Sequence, residues 1–240
     1  MIATLRYTLA DVIRSNRFVL PLLPFVVGLP LLYSNQSPPL DGYAATAALL
    51  YPVAAWFGVA VCNSEDEVRL DLTVATGGGW LPAYAAKLAT ALLLVLVLIP
   101  VAIAYPMVTG AFSPSASRGD VLIGIAAHLL CALPGLALGV LFSRLVVRRQ
   151  AYALLWLLIC LVFAVPVGTL TSSRLLPLRL LAHLAPPVLG VARALSGTTG
   201  TSGAGGGHSV GPPLIPDTLG ALLFCTAATA AFLKLARARA

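Results

Sequence analysis

Charged residues are scarce in this sequence. They make up 10% of the 240 residues, whereas apolar residues make up 59% and the mean hydropathy is +0.96. Soluble domains contain about 25% charged residues, so this composition excludes an ordinary soluble domain and indicates a polytopic membrane protein. A net charge of +7 would suggest nucleic acid in a soluble protein. In a membrane protein, basic residues that fix the topology explain it, and we expect no nucleic-acid partner.

The sequence also lacks the motifs of catalysis and energy supply. A P-loop needs Gly-Lys-Ser/Thr, but the two lysines follow Ala86 and Leu233. The histidines, His128, His183 and His208, are isolated from one another and form no HExxH motif. The four cysteines form no CxxC pair. We therefore expect no catalytic, metal-binding or cofactor-binding residues in this chain.

Long apolar runs take up most of the chain. A bilayer core about 30 Å thick needs roughly 20 apolar residues per helix, so the length allows about six spans. We predict an all-α integral membrane protein in which residues 1–240 form a single transmembrane domain. The six predicted spans cover about residues 18–34, 43–62, 88–108, 121–142, 151–170 and 218–233.

Two segments outside the spans are amphipathic. Residues 2–17 combine an apolar side with a basic side, which predicts a helix along the membrane interface. The alternative is a cytoplasmic extension of the first span. Residues 174–196 alternate apolar and basic positions and are split by Pro186-Pro187, which predicts a pair of short interfacial helices outside the membrane.

The interval between spans two and three, Cys62–Lys87, holds half of the chain's eight carboxylates. Ser64 and Glu67 have capping-box spacing, which predicts a short helix that starts near Ser64. Glu65 and Arg69 stand four apart in the favourable order. Gly77–Gly79 can adopt the positive φ that ends a helix, and Lys87 is expected to snorkel at the start of span three. An ordinary solvated helix is the alternative interpretation.

Inside the predicted spans there is no carboxylate, which argues against transport driven by an ion gradient. His128 is the one ionisable residue near mid-membrane, and it is either a hydrogen-bonded structural residue or a proton relay. Gly135 and Gly139 have GxxxG spacing, which favours close helix packing.

Basic residues are distributed unevenly about these spans. If the N-terminus is inside, most of the fifteen lie on the cytoplasmic side. The opposite side of the membrane has Arg118, Arg174, Arg179 and Arg193. This asymmetry predicts both termini and the acidic helix in the cytoplasm.

The order of these parts resembles the permease subunit of a type-2 ABC exporter over essentially the whole chain. The matching segments are LRYTLADVIRSNRF, EDEVRLDLTVATGGGWLPAYAAKLA and LPLRLLAHLAPPVLGVARAL. In that family a cytoplasmic coupling helix after span two docks in a groove of a separate ATPase subunit. The resemblance assigns this role to Glu65, Asp66, Glu67, Arg69 and Asp71. The triple glycine Gly77, Gly78 and Gly79 departs from the family pattern and is a candidate hinge.

The resemblance implies an exporter in a bacterial cytoplasmic membrane. The expected partners are an ABC ATPase that carries ATP and Mg²⁺, a second or paralogous permease, and membrane lipid. Because a mid-membrane charge costs about 2.5–3.5 kcal/mol, a path without carboxylates suits a hydrophobic or amphipathic cargo such as a drug, an antibiotic or a lipid-like molecule. The candidate outer gate is Arg179, His183 and Arg193, for which interfacial anchoring is the alternative. The rival functions are an ion-coupled secondary carrier and a non-transporting scaffold or immunity protein.

Overall fold

A computed structural model describes residues 2–113, 115–144, 146, 153, 155, 157–159 and 214–237. The regular elements in these ranges are α-helices, as predicted. Their bounds are α1 (Ile2–Arg14), α2 (Val19–Leu32), α3 (Pro39–Cys62), α4 (Glu67–Thr76), α5 (Trp80–Thr109), α6 (Arg118–Leu141) and α7 (Leu214–Arg237).

Three of these helices, α3, α5 and α6, are long and apolar enough to cross a bilayer. At 1.5 Å per residue, their 24 to 30 residues exceed a hydrocarbon core about 30 Å thick. The bent pair α1 and α2 gives a fourth candidate span if it is counted as one. These long apolar helices indicate a membrane-embedded protein.

A sharp bend separates α1 from α2. The two helices meet at 68°, and Asn16 in the turn between them has a φ of 54°. Along α1, Thr4, Thr8 and Val12 are buried at a four-residue spacing, while Arg6 and Arg14 are exposed. The amphipathic character predicted for this segment is present, although two threonines contribute to its buried side.

The centre of the bundle is α3, which packs against α2, α5 and α6. In the most apolar 18-residue stretch of α3, 67% is buried inside the protein, whereas in the corresponding stretch of α5 only 39% is buried. The difference follows from its position, because α5 leaves one side of its length open for lipid.

The closest helix contact joins α3 to α6, and three glycines make it possible. A β-carbon on Gly139 would overlap the carbonyl oxygen of Ala55, and one on Gly135 would overlap the carbonyl oxygen of Tyr51. From α3, Gly58 faces the backbone of α6, where an added β-carbon would lie 2.9 Å from the carbonyl oxygen of Leu136. The predicted packing role of the GxxxG pair is confirmed, and its partner is a helix of the same chain.

The bundle has two distinct ends. At one end the α2–α3 loop meets the α5–α6 loop, where the backbones of Ser37 and Ala111 are hydrogen-bonded and Phe112 packs edge-on against Tyr33. At the other end lie α1, α4 and the C-terminal part of α7, where Phe232 packs on Tyr84 of α5. The two ends of the described chain are therefore on the same side as the acidic segment.

Helix boundaries differ from the predictions in one important place. The sequence predicts a third span that begins at Leu88, but α5 begins at Trp80, since nothing after the glycine turn interrupts the helix. The fifth span and the outer amphipathic pair fall almost wholly outside the described residues. The last predicted span lies within α7, whose apolar stretch is Leu219–Leu235.

Candidate functional site: the α4 segment

The acidic segment forms a separate short helix at the end of α3. Asp66 is the N-cap of α4, and its side chain accepts a hydrogen bond of 2.8 Å from the backbone N–H of Arg69. The first residue of the helix is Glu67. This cap satisfies one of the free N–H groups at the helix start, which stabilises the helix by about 1 kcal/mol.

The predicted capping box at Ser64 and Glu67 is wrong. The helix starts later than Ser64 because an aspartate is as good an N-cap as a serine. Glu65 therefore precedes the helix and is not available for the predicted pairing with Arg69 along a helix face.

Glu65 instead lies inside the protein, paired with Lys87 of α5. Its Oε2 is 2.8 Å from Lys87 Nζ, and the side chains of both residues are 1% exposed. The angles do not make this contact a hydrogen bond, so its attraction is that of an ion pair. The other oxygen, Oε1, accepts a hydrogen bond of 3.0 Å from the Thr73 hydroxyl of α4.

A third helix reaches the same carboxylate. The Tyr7 hydroxyl of α1 lies near Glu65, and partial burial together with this carboxylate raises the pKa of Tyr7. Glu65 thus connects α1, α4 and α5 at the point where α3 ends. Buried charges are tolerated best when they are paired and hydrogen-bonded. Glu65 meets both conditions through Lys87 and Thr73, whereas Lys87, among the described residues, has the ion pair and no hydrogen bond.

Lys87 is consequently not a snorkelling residue at a helix start. Since α5 begins at Trp80, Lys87 lies in the third turn, where α5 is already packed inside the bundle. The ammonium group reaches Glu65 and not the membrane surface.

The glycines after α4 form an ordered turn. Gly78 has a φ of +85° and Gly79 a φ of +117°, whereas Gly77 has an ordinary negative φ. The N–H of Gly79 donates to the carbonyl of Val74, which is the Schellman arrangement with Gly78 in the left-handed position. The positive φ that the sequence allows in this glycine run is therefore present at Gly78 and Gly79.

The outer face of α4 is apolar. Val68 is 70% exposed and Leu72 60% exposed, and Ala75 continues the same stripe one turn further on. The exposed Asp71 lies beside this stripe, and the exposed Arg69 lies toward α1. Exposed leucine and valine on a short helix outside the long apolar spans are typical of a contact surface for another protein or for the membrane.

A groove of about 420 Å³ separates α4 from α1. Backbone and side chains of both helices form its walls, and it opens on the same side as the apolar stripe. Its lining includes Ala3, Thr4, Tyr7, Arg69, Thr73 and Thr76.

The chain segments beneath α4 are tied together by Asn63. Its backbone oxygen accepts a hydrogen bond from the Arg17 guanidinium, and its side-chain oxygen accepts one of 2.8 Å from the backbone N–H of Arg144. The α1–α2 turn, the end of α3 and the end of α6 therefore form a fixed base for α4.

The structure divides the five predicted coupling residues into two kinds. Asp66, Arg69 and Asp71 are exposed on α4, and Glu67 begins the helix. Glu65 is buried and faces the bundle. Sequence reasoning missed Val68, Leu72, Thr73 and Tyr7, although the apolar pair at i and i+4 in a charged helix is a signal in the sequence.

The candidate outer gate, Arg179, His183 and Arg193, lies outside the described residues. Within the described ranges, no group of three or more His, Cys, Asp or Glu side chains could hold a metal ion.

His128 of α6 belongs to a buried polar chain within the bundle. Its Nδ1 lies 2.7 Å from the carbonyl oxygen of Gly124. Because a carbonyl oxygen can only accept, Nδ1 carries the ring hydrogen and donates a hydrogen bond to this oxygen. Its Nε2 lies 3.0 Å from the Thr46 hydroxyl of α3, which lies 3.4 Å from the Tyr33 hydroxyl. Both ring nitrogens have hydrogen-bond partners, which agrees with the interpretation of His128 as a hydrogen-bonded structural residue.

Replacing Thr46 by valine should destabilise the protein by about 1–3 kcal/mol, because Nε2 of His128 would be left buried without a partner. Reversible unfolding in mixed detergent micelles measures the change. Thr46→Ser, which keeps the hydroxyl, is the matched control and should lose much less. A Thr46→Val protein as stable as the wild type would contradict the contribution of this hydrogen bond, and a loss in Thr46→Ser alone would show that packing of the methyl group matters instead.

Comparison with known proteins adds no relative. No protein-family model and no curated protein matches the sequence, and no solved structure matches the fold.

Proposed function

We propose that this chain is the membrane-spanning permease subunit of an ATP-driven exporter, powered by a separate ATPase subunit. The observation that carries the proposal is α4, a capped helix at the end of an apolar bundle that exposes an apolar stripe and is fixed to α5 by a buried ion pair. A helix of this kind is suited to bind a partner protein and to transmit the partner's movement to a membrane span.

The charges at this end of the bundle support a cytoplasmic position for α4. Among the described residues, all lysines and arginines except Arg118 lie at the α4 end. Basic residues flanking apolar spans favour the cytoplasmic side. This orientation puts α1 and the C-terminal part of α7 in the cytoplasm of a bacterial cell and makes α4 accessible to a soluble ATPase.

The docking surface we propose is the stripe of Val68, Leu72 and Ala75 with its charged border. The apolar side chains would enter a groove on the ATPase, and Asp66, Arg69 and Asp71 would set the orientation through charge complementarity. Glu65 contributes by holding α4 in place, since it is buried away from this surface.

A complete exporter would contain a second copy of this chain or a paralogous permease. Gly135 and Gly139 already pack against α3 of the same chain. The small residues Ala221 and Ala228 of α7 are also buried within the chain. The second permease would therefore contact helix surfaces other than these. A path between the two permeases suits a hydrophobic or amphipathic cargo, such as a drug, a natural product or a lipid-like molecule.

Val68→Asp and Leu72→Asp test the proposal in cells that produce this chain together with the P-loop ATPase that co-purifies with the tagged wild-type chain. Each change places a charge in the apolar contact, and loss of a central apolar anchor costs about 2 kcal/mol or more, which is roughly thirtyfold in affinity. We expect co-purification of the ATPase and permease-stimulated ATP turnover to fall by about that factor.

Thr76→Asp is the control, because Thr76 is exposed on the same helix but lies to the side of the stripe. It should retain the ATPase. Unchanged assembly in the Val68 and Leu72 variants would contradict the docking role. A chain that moves solute only while a proton gradient is present would instead be a secondary carrier, and a chain that assembles but moves no solute would be a scaffold.

A further inference from the structure

Two connections join α4 to the membrane helix α5. The covalent connection is the turn at Gly77–Gly79. The non-covalent one consists of the contacts made by Glu65 and of the packing of Leu70 and Val74 of α4 in one apolar cluster with Tyr84 of α5. The two differ in rigidity, and the difference decides how movement of α4 reaches the bundle.

The glycine turn has little support from its surroundings. A β-carbon placed on Gly78 or Gly79 would meet no other atom within 4 Å, and both residues have positive φ. The turn is held by backbone hydrogen bonds at the end of α4. Glycines have the largest backbone freedom, so an unpacked glycine turn transmits force poorly.

The contacts made by Glu65, unlike the glycine turn, are buried and packed. The carboxylate accepts a hydrogen bond from Thr73 in the middle of α4 and pairs with Lys87 in the third turn of α5, and all three residues are buried. Neither charged group has another opposite charge beside it among the described contacts. Separating them inside the protein would leave two unpaired buried charges, so the residue just before α4 is held to the third turn of α5. The hydrogen bond from Thr73 extends this hold to the middle of α4.

We infer that the Glu65–Lys87 pair, with Thr73, is the rigid link that passes displacement of α4 to α5, and that the Gly77–Gly79 turn is a compliant connection that need not carry force. Glu65 and Lys87 are then positioning residues for energy coupling, and neither has to touch the ATPase. This inference rests on the proposed coupling function of α4.

The first experiment uses the permease alone, so its outcome does not depend on the ATPase. Amide hydrogen exchange of α4 is measured in lipid nanodiscs for three variants. The variants are a neutral pair (Glu65→Gln with Lys87→Met), a charge swap (Glu65→Lys with Lys87→Glu), and a chain with two extra glycines inserted after Gly78.

The neutral pair should raise exchange in α4 by at least about tenfold, because local opening no longer separates two charges. The charge swap should bring the rate back toward the wild-type value, and the lengthened turn should leave it unchanged. Fast exchange in the lengthened chain with slow exchange in the neutral pair would overturn the inference. If the neutral pair fails to fold, slow exchange in both the charge swap and the lengthened chain supports the inference, and fast exchange in the lengthened chain overturns it.

The second experiment measures coupling in the complex with the ATPase. Spin labels at Thr76 of α4, which is outside the proposed docking surface, and at Met107 near the far end of α5, both exposed, are placed in a cysteine-free background. In the wild type the distance between the labels should stay constant when ATP binds. In the neutral pair it should change or broaden while ATP turnover continues, and the charge swap should restore the constant distance.

The outcomes separate the two proposals. If the ATPase does not bind the wild-type chain, the docking proposal fails, whereas the exchange rates still show whether the ion pair holds α4. If the ATPase binds and the neutral pair behaves as the wild type in both experiments, the inference fails and the docking proposal stands.

Discussion

Replacing Gly139 by alanine should lower the free energy of unfolding by about 3 kcal/mol, at the upper end of the usual cost of overpacking. The added methyl group would overlap the carbonyl oxygen of Ala55. Backbone atoms cannot turn aside as the end of a flexible side chain can, so α3 and α6 would have to move apart along their length. Reversible unfolding in mixed detergent micelles measures the loss.

Gly119→Ala is the matched control for this prediction. It lies in the first turn of the same helix, where a β-carbon would have only the Ser117 hydroxyl nearby, at 3.6 Å. A surface change of this kind should alter stability by no more than about 0.5 kcal/mol. A Gly139→Ala protein as stable as the control would show that α3 and α6 do not pack in the way described.

Lys87→Met should destabilise the protein by about 3–5 kcal/mol, the cost of leaving one buried charge without its partner. Methionine fills a similar volume, so the loss would come from Glu65, whose carboxylate would keep Thr73 and Tyr7 as neighbours but no opposite charge. The same unfolding measurement detects it, together with reduced expression of the folded chain.

The double variant Glu65→Gln with Lys87→Met separates electrostatics from packing. With both charges removed, most of the lost stability should return, because no buried charge remains unpaired. Lys234→Met, which removes an exposed lysine from α7, should have little effect. A double variant as unstable as Lys87→Met alone would mean that the lysine stem is important for packing and that the ion pair is not.

Much of the fold could be predicted from hydropathy and turn chemistry. The apolar runs locate α3, α5 and α6 because a helix in a bilayer needs about 20 apolar residues whatever its neighbours are. The GxxxG spacing predicts close packing at Gly135 and Gly139, but the sequence does not say which helix they approach. The answer depends on the tertiary arrangement, and the structure places α3 there.

The candidate site was harder to predict, because its key residue takes part in a long-range contact. Glu65 has good local reasons to belong to a helix with Arg69, and a rule based on neighbours in sequence assigns it there. Its actual partner, Lys87, lies far along the chain and is reached only because α5 begins at Trp80. Moving the predicted start of one helix by a few turns changes a surface lysine into a buried one.

The apolar stripe on α4 is a feature that the charge pattern of this segment does not predict. Attention to the carboxylates predicts a charged docking helix, whereas Val68 and Leu72 are the large exposed side chains on it. In protein interfaces a few side chains buried at the centre supply most of the binding energy, and the charged residues at the border supply orientation and rate. The proposed docking surface is therefore centred on these two residues and not on the acidic run.

Photocrosslinking from position 68 in intact membranes tests the proposed docking of α4 on an ATPase most directly, since it needs no knowledge of the cargo. Val68 is replaced by the photoreactive p-benzoylphenylalanine, the cells are irradiated, and the crosslinked protein is identified by mass spectrometry. The same replacement at Leu223, an exposed residue of α7, is the control for contact with lipid. We expect a crosslink from position 68 to a P-loop ATPase and none from position 223; a position 68 that crosslinks only to lipid would contradict the docking role of α4.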